Sequence, residues 1–129
     1  MYLQAQALFN NHNDIEAESV LRQIIAIGRK DCGCFYLANA YNLLGIIYVK
    51  RKDFSRAKGL FQQSLDLEQR GVRSKALAAD YVNLGIVETF RGHKDEAEKN
   101  LKTALNFARE IDDDELCSKI YCHLKKLSN

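Results

Sequence analysis

The chain has 129 residues, 47% of them apolar, and 19 Lys and Arg face 17 Asp and Glu for a formal net charge of +2. Such a length is one ordinary domain able to bury a core, and so even a balance excludes DNA, RNA or an anionic membrane as the main partner. No run of about 18 apolar residues predicts a membrane-spanning helix, and no basic-then-apolar start predicts a secretory signal.

Apolar residues recur at i, i+3, i+4, i+7 almost throughout, as in Tyr41, Leu44, Tyr48 and then Phe54, Ala57, Leu60, Phe61, Leu65, which is the spacing of amphipathic helices. Proline, the strongest helix breaker, is absent. The spacing predicts seven helices, over 1–11, 14–28, 34–51, 54–70, 73–91, 94–110 and 114–127. Short breaks fall at Asn10 to Asp14, Arg51 to Asp53 and Arg91 to Lys94, and longer ones at Gly28 to Gly33, Arg70-Gly71 and Ile111 to Asp114. Asn13 with Glu16 reads as a capping box and Asp53 as an N-cap. Gly92 suits a helix C-terminus that needs a positive φ.

The segment Tyr41 to Leu65 reads again, without a gap, from Tyr81 to Leu105, forty residues on. Leu44-Gly45 matches Leu84-Gly85, and Ala57 matches Ala97. Ala5, Ala17, Leu21 and Ile25 fall on the same columns upstream, while Tyr121 and Leu124 restart the pattern downstream. A fixed period of this size is the signature of a stacked repeat array. Each unit is a helical hairpin that cannot bury its apolar face alone. Small residues at the Ala17/Ala57/Ala97 and Ala5/Gly45/Gly85 columns predict helix axes about 8–10 Å apart.

The arrangement Tyr41-x-x-Leu44-Gly45-x-x-Tyr48, followed by Ala57-x-x-x-Phe61, resembles the tetratricopeptide repeat (TPR). The third unit keeps Tyr81, Leu84, Gly85, Ala97 and Leu101 but has Glu88 in the Tyr48 column. The period is forty rather than the family's usual 34, and the closing proline is replaced by Arg29, Gln69 and Arg109. Forty-residue units with Tyr81 to Gly85 and Ala108-Arg109-Glu110 look like those of spindle-orientation adaptors, kinesin light chains and Rap-type regulators. The resemblance implies an all-α fold, a short right-handed superhelix of stacked antiparallel hairpins. The expected units are 1–32, 33–72 and 73–112 with a capping or partial unit at 113–129, and the late start and early stop suggest a piece of a longer array.

In that family the first helices of successive units line a concave, peptide-binding face. Carried over, those columns hold Tyr2, Gln6 and Phe9, then Asn39, Asn42, Leu43, Ile46, Val49 and Lys50, then Val82, Asn83, Ile86, Thr89 and Phe90. Amides can donate to and accept from a peptide backbone, and the apolar members would form pockets for its side chains. The family's chaperone-tail clamp needs cations and asparagines where this chain has Tyr2, Gln6, Leu43, Ala79 and Asn83. No cation remains there to pair with a terminal carboxylate, so that clamp is not expected.

Other constellations point to structure rather than chemistry. Cys32, Cys34, Cys117 and Cys122 lack zinc-site spacing, and in a stacked array the two pairs would lie on the order of 20 Å apart. Without a secretory signal they read as reduced thiols of a cytoplasmic protein. His12, His93 and His123 have no serine or cysteine placed as a nucleophile. The acidic run Asp112 to Glu115 lacks a calcium loop's alternation and glycine, and favours a helix N-terminus instead. The basic cluster Lys50 to Lys52 sits where a helix ends and cations are favoured. The reading is a protein- or peptide-binding scaffold with no enzymatic activity, cofactor or metal. The alternative is a self-associating assembly element, through exposed repeat ends, or the sensory fragment of a larger bacterial-type regulator.

Overall fold

A computed structural model of the chain describes residues 2–31, 34–71 and 74–128. Seven helices run in chain order: α1 (Tyr2–Asn10), α2 (Asp14–Asp31), α3 (Cys34–Lys50), α4 (Phe54–Gly71), α5 (Ser74–Phe90), α6 (Lys94–Glu110) and α7 (Asp114–Ser128). Among the described residues there is no strand. The all-α expectation and the helix order hold, and the largest difference in extent is at α2. Gly28 does not end α2, which continues to Asp31. A Cβ at Gly28 would meet Leu37 Cδ1 at 3.0 Å, so this glycine admits a close neighbour from α3 rather than a turn.

The chain forms two compact units, Met1–Gly71 and Val72–Asn129. In the first, α1 and α2 form one hairpin and α3 and α4 another, joined where α2 packs on α3 and α1 touches α3. Its interior holds Ala5, Ala17, Leu21, Leu44, Ile47, Ala57 and Phe61, all buried. In the second, α5 and α6 form a hairpin and α7 packs against both. Leu101, Ala104, Leu105, Ala108 and Ile120 make its buried cluster, flanked by Tyr81, Val82, Leu116, Cys117, Leu124 and Leu127. Tyr81 stacks on Phe107 with ring centroids 5.9 Å apart.

The repeat columns have a direct physical meaning in the two long hairpins. A Cβ at Gly45 would stand 2.7 Å from Phe61 Cε1, and one at Gly85 would stand 2.7 Å from Leu101 Cγ. Both distances are shorter than real Cβ contacts, so only glycine lets these helices approach so closely. Ala17, Ala57 and Ala97 are each 0% exposed, as close helix packing at that column requires.

Helices α1, α3, α5 and α6 end in the same way. His12, Lys52, Gly92 and Asp112 have positive φ values of 64, 64, 81 and 54°. Each following amide reaches back five residues, as in Asn13 N to Leu8 O at 2.8 Å, Asp53 N to Tyr48 O at 2.9 Å, His93 N to Glu88 O at 2.8 Å and Asp113 N to Ala108 O at 3.0 Å. This is the Schellman C-cap, which satisfies the last carbonyls and reverses the chain. At the next helix start, Asp53 Oδ1 accepts from Arg56 N at 3.4 Å and Asp113 Oδ1 from Leu116 N at 3.0 Å. Asn13 does not form the expected capping box. It enters the turn through its backbone, receiving Ala17 N at 2.9 Å on its carbonyl.

Candidate functional site

Helix α3 presents a stripe of Asn39, Asn42, Ile46 and Val49, each half-buried. Their steps of three, four and three residues keep them on one helix face. The amides and the branched apolar chains therefore share one surface. Lys50 lies exposed at its end. The Lys50 Nζ stands 4.4 Å from the centre of the Phe9 ring and 3.4 Å from Asp14 Oδ2. The cation thus ties the end of α3 to the end of α1 and the start of α2. Gln6 on α1 is exposed and Phe9 half-buried. Tyr2 is half-buried too, and burial raises the pKa of its hydroxyl. Leu43 departs from the expectation: it is 7% exposed. One residue beyond Asn42 is a rotation of about 100°, enough to carry it off the open stripe and into the packing.

In the second unit, Val82, Asn83 and Ile86 on α5 are half-buried and Phe90 is 62% exposed. Val82 also packs against the cluster of Leu101 and Ile120, so part of its surface belongs to the core. The Thr89 hydroxyl donates to the Gly85 carbonyl at 2.8 Å, a local bond that occupies its donor. The structure therefore groups the predicted residues in two sets. Phe9, Lys50 and the α3 stripe stand in the first unit, with Gln6 on α1, and the α5 stripe stands in the second.

Another side of α3 carries a polar network that the sequence pattern did not reveal. Arg22 donates from Nε and Nη2 to Glu18 Oε2 at 3.1 and 2.9 Å, and Arg51 donates from Nη1 to Glu18 Oε1 at 2.7 Å. The Tyr48 hydroxyl donates to Glu18 Oε2 at 2.8 Å and accepts from Arg22 Nη2. The guanidiniums of Arg51 and Arg56 lie 5.6 and 5.8 Å from the Tyr48 ring centre. The Arg51 hydrogen bond above all, with those of Tyr48 and Arg22, outweighs burial and draws the Glu18 pKa from 4.5 to about 2. Only the Glu18–Arg22 pair, four apart on one helix, left a trace in the sequence. The links from α2 to Tyr48 and Arg51 cross 26 to 33 residues and no periodicity encodes them.

The second unit has a carboxylate in the Tyr48 column. Glu88 is 1% exposed, with Arg91 Nη1 at 3.1 Å and His93 Nδ1 at 2.6 Å. On α7, burial and then the charge of Lys126 lower the pKa of His123.

Cys117 and Cys122 are free thiols. Cys32 and the side chain of Cys34 lie outside the described residues. Among the described residues, no group of three or more His, Cys, Asp or Glu side chains is placed to hold a metal ion. Nor is any helix there long and apolar enough to cross a membrane.

A family model described as tetratricopeptide repeat matches residues 1–70, more than half of the chain and nearly all of its first compact unit. No curated protein matches the chain.

Proposed function

Because the chain belongs to the tetratricopeptide repeat family, whose repeats generally mediate protein–protein interactions, we propose that it is a non-enzymatic scaffold that holds a polypeptide segment on the open faces of its first helices. The observation that supports this reading is the α3 stripe, where Asn39 and Asn42 are followed by Ile46 and Val49 on one half-buried surface. Amides of that kind grip a peptide backbone from both its donor and acceptor sides. Branched apolar chains beside them make shallow pockets for alternate side chains. The same chemistry recurs on α5 in Asn83, Ile86 and Phe90.

The charge pattern argues against a carboxylate-terminated partner. Lys50, the cation at the end of the α3 stripe, is engaged with Asp14 and Phe9. A neutral or apolar segment suits the surface better. The forty-residue period and the Tyr81 to Gly85 motif align the chain with the sub-type that spindle-orientation adaptors, kinesin light chains and Rap-type regulators exemplify. We place its work in the cytoplasm as an adaptor.

Peptides selected from a display library on the whole chain test the proposal. Their affinity is expected to fall at least tenfold in Asn42→Ala and in the double variant Asn83→Ala/Phe90→Ala. Unchanged affinity in both would remove the groove assignment.

A second reading rests on Leu3, Ile15 and Ile27, which are 77, 80 and 50% exposed. Large apolar side chains left open are a route to self-association. A molecular mass that stays monomeric across a dilution series rules this reading out; a mass that rises with concentration supports it.

A further inference from the structure

Leu44 follows Asn42 by two residues, a rotation of about 200° around α3. It therefore looks away from the proposed peptide face. There it joins Arg22 of α2, Tyr48 of α3 and Arg56, Gly59 and Gln63 of α4 around an open cleft of about 430 Å³. On α4, positions 56, 59 and 63 fall on one face by their spacing.

The cleft is rich in unspent donors. Arg22 gives Nε and Nη2 to Glu18 and Tyr48, which leaves its Nη1 hydrogens. The Nε of Arg56 lies 3.4 Å from Asp53 Oδ2, which leaves both of its Nη groups. The two side chains are 56 and 70% exposed. Around the Tyr48 ring stand three guanidiniums, those of Arg22, Arg51 and Arg56, against two carboxylates, Glu18 and Asp53. Asp14 also acts on Arg51 and pairs with Lys50, so four cations face three carboxylates and one positive charge is left over.

Gly59 adds an independent mark. It lies inside α4, where glycine costs about 0.5–1 kcal/mol relative to alanine. Gly45 and Gly85 are required by Phe61 and Leu101, but a Cβ at Gly59 would meet nothing within 4 Å. Packing does not ask for this glycine, and it lies on the wall of the open cleft.

We propose that this cleft binds a phosphomonoester, with Arg22 and Arg56 donating to its oxygens and the Gln63 amide as a further donor. The two Nη groups of Arg56, the Nη1 of Arg22 and an amide offer more hydrogens than the two oxygens of a carboxylate can take. A phosphomonoester has three such oxygens and a charge of roughly −1.5 to −2, and planar arginine forks match it well. The group can reach the cleft on a phosphorylated side chain of a polypeptide or on a small phosphate-bearing molecule. The site is separate from the peptide face and stands whether or not that face binds.

The test uses the whole chain at fixed ionic strength. The probes are inorganic phosphate, a phosphoserine octapeptide and the same peptide unphosphorylated. The readout is the NMR signals of the Arg22 and Arg56 guanidinium groups, their Nη hydrogens included. Saturable shifts of both with a phosphorylated probe, and none with the unphosphorylated peptide, are expected. Tighter binding of the phosphopeptide assigns a polypeptide source, and equal binding of inorganic phosphate a small-molecule one. Gly59→Glu fills the cleft with a like charge and is expected to weaken binding at least tenfold while melting no lower than wild type. Arg56→Gln, on an exposed side chain, is expected to do the same and decides the matter if Gly59→Glu does not fold. No saturable shift with either phosphorylated probe, or wild-type affinity in the folded variants, overturns the proposal.

Discussion

Gly45 and Gly85 stand forty residues apart, and each is pressed by a different side chain: the Phe61 ring in the first unit and Leu101 in the second. The columns around them show the same division. Tyr48 in the first unit joins Glu18 through a neutral hydroxyl, whereas Glu88 in the second is itself a buried carboxylate beside Arg91 and His93. Lys52 closes one hairpin turn with φ 64°, and Gly92 closes the other with φ 81°. The backbone solution is repeated, while the chemistry that satisfies it changes. The two hairpins should therefore respond differently to the same kind of substitution.

The largest difference is expected in the Tyr48/Glu88 column. Glu88→Ala removes a buried side chain and its bonds to Arg91 and His93, whose own side chains reach solvent, so it should cost about 1.5–3 kcal/mol, the range for hydrogen bonds to charged groups. Tyr48→Phe removes one hydroxyl from a carboxylate that keeps two arginines, and should cost about 0.5–1.5 kcal/mol. Urea denaturation of both variants measures the contrast, and equal losses would break it.

The glycine columns come next. An alanine at Gly45 or Gly85 normally gains helix stability, yet here its methyl meets Phe61 or Leu101 at 2.7 Å. Overpacking of this kind costs about 1–3 kcal/mol. The flat Phe61 ring has fewer ways to yield than Leu101, so Gly45→Ala should be the worse of the two. Gly45→Ala combined with Phe61→Leu should recover part of the loss if ring contact is the cause, as a double-mutant cycle would read.

Acid should weaken the first unit through Glu18. Its folded pKa, about 2, lies below the ordinary 4.5, so the ionised pair stabilises the fold fully above pH 4.5. That contribution is lost as pH falls from 4.5 towards 2. Glu18→Gln should lose about 1–2 kcal/mol at neutral pH, in the range of hydrogen bonds to charged groups. It should also flatten the stability profile across that window, as chemical denaturation at several pH values would show.

The smallest effects are at the turns. Lys52→Gly relieves a side chain held at positive φ and should stabilise by about 0.5–1 kcal/mol, while Gly92→Ala should destabilise by a similar amount. Thermal melts distinguish the two signs.

The features legible in the sequence are those that repeat. The forty-residue echo marked the glycines that let helices meet, and the apolar spacing marked all seven helices. Gly92 announced its own turn. His12, Lys52 and Asp112 adopt the same left-handed conformation without being glycine, because a whole Schellman turn over-determines them. Leu43 was placed on the open face by its column, but a rotation of one residue buries it. The Glu18 network and the Arg22–Arg56 cleft stayed hidden because they join α2, α3 and α4 across long stretches of chain. Only folding brings such groups within hydrogen-bond reach. Gly59 was visible as a letter, but its meaning depended on the empty space beside it.

The central claim is that the Asn42 and Ile46 face of α3 is where a polypeptide docks. Backbone amide NMR of the whole chain, titrated with a peptide selected for binding, tests it most directly. Saturable shifts centred on Asn39, Asn42, Ile46 and Val49, with at least tenfold weaker binding in Ile46→Asp, are the predicted result. Shifts confined to α2 and α4, with Ile46→Asp binding as wild type does, would contradict it.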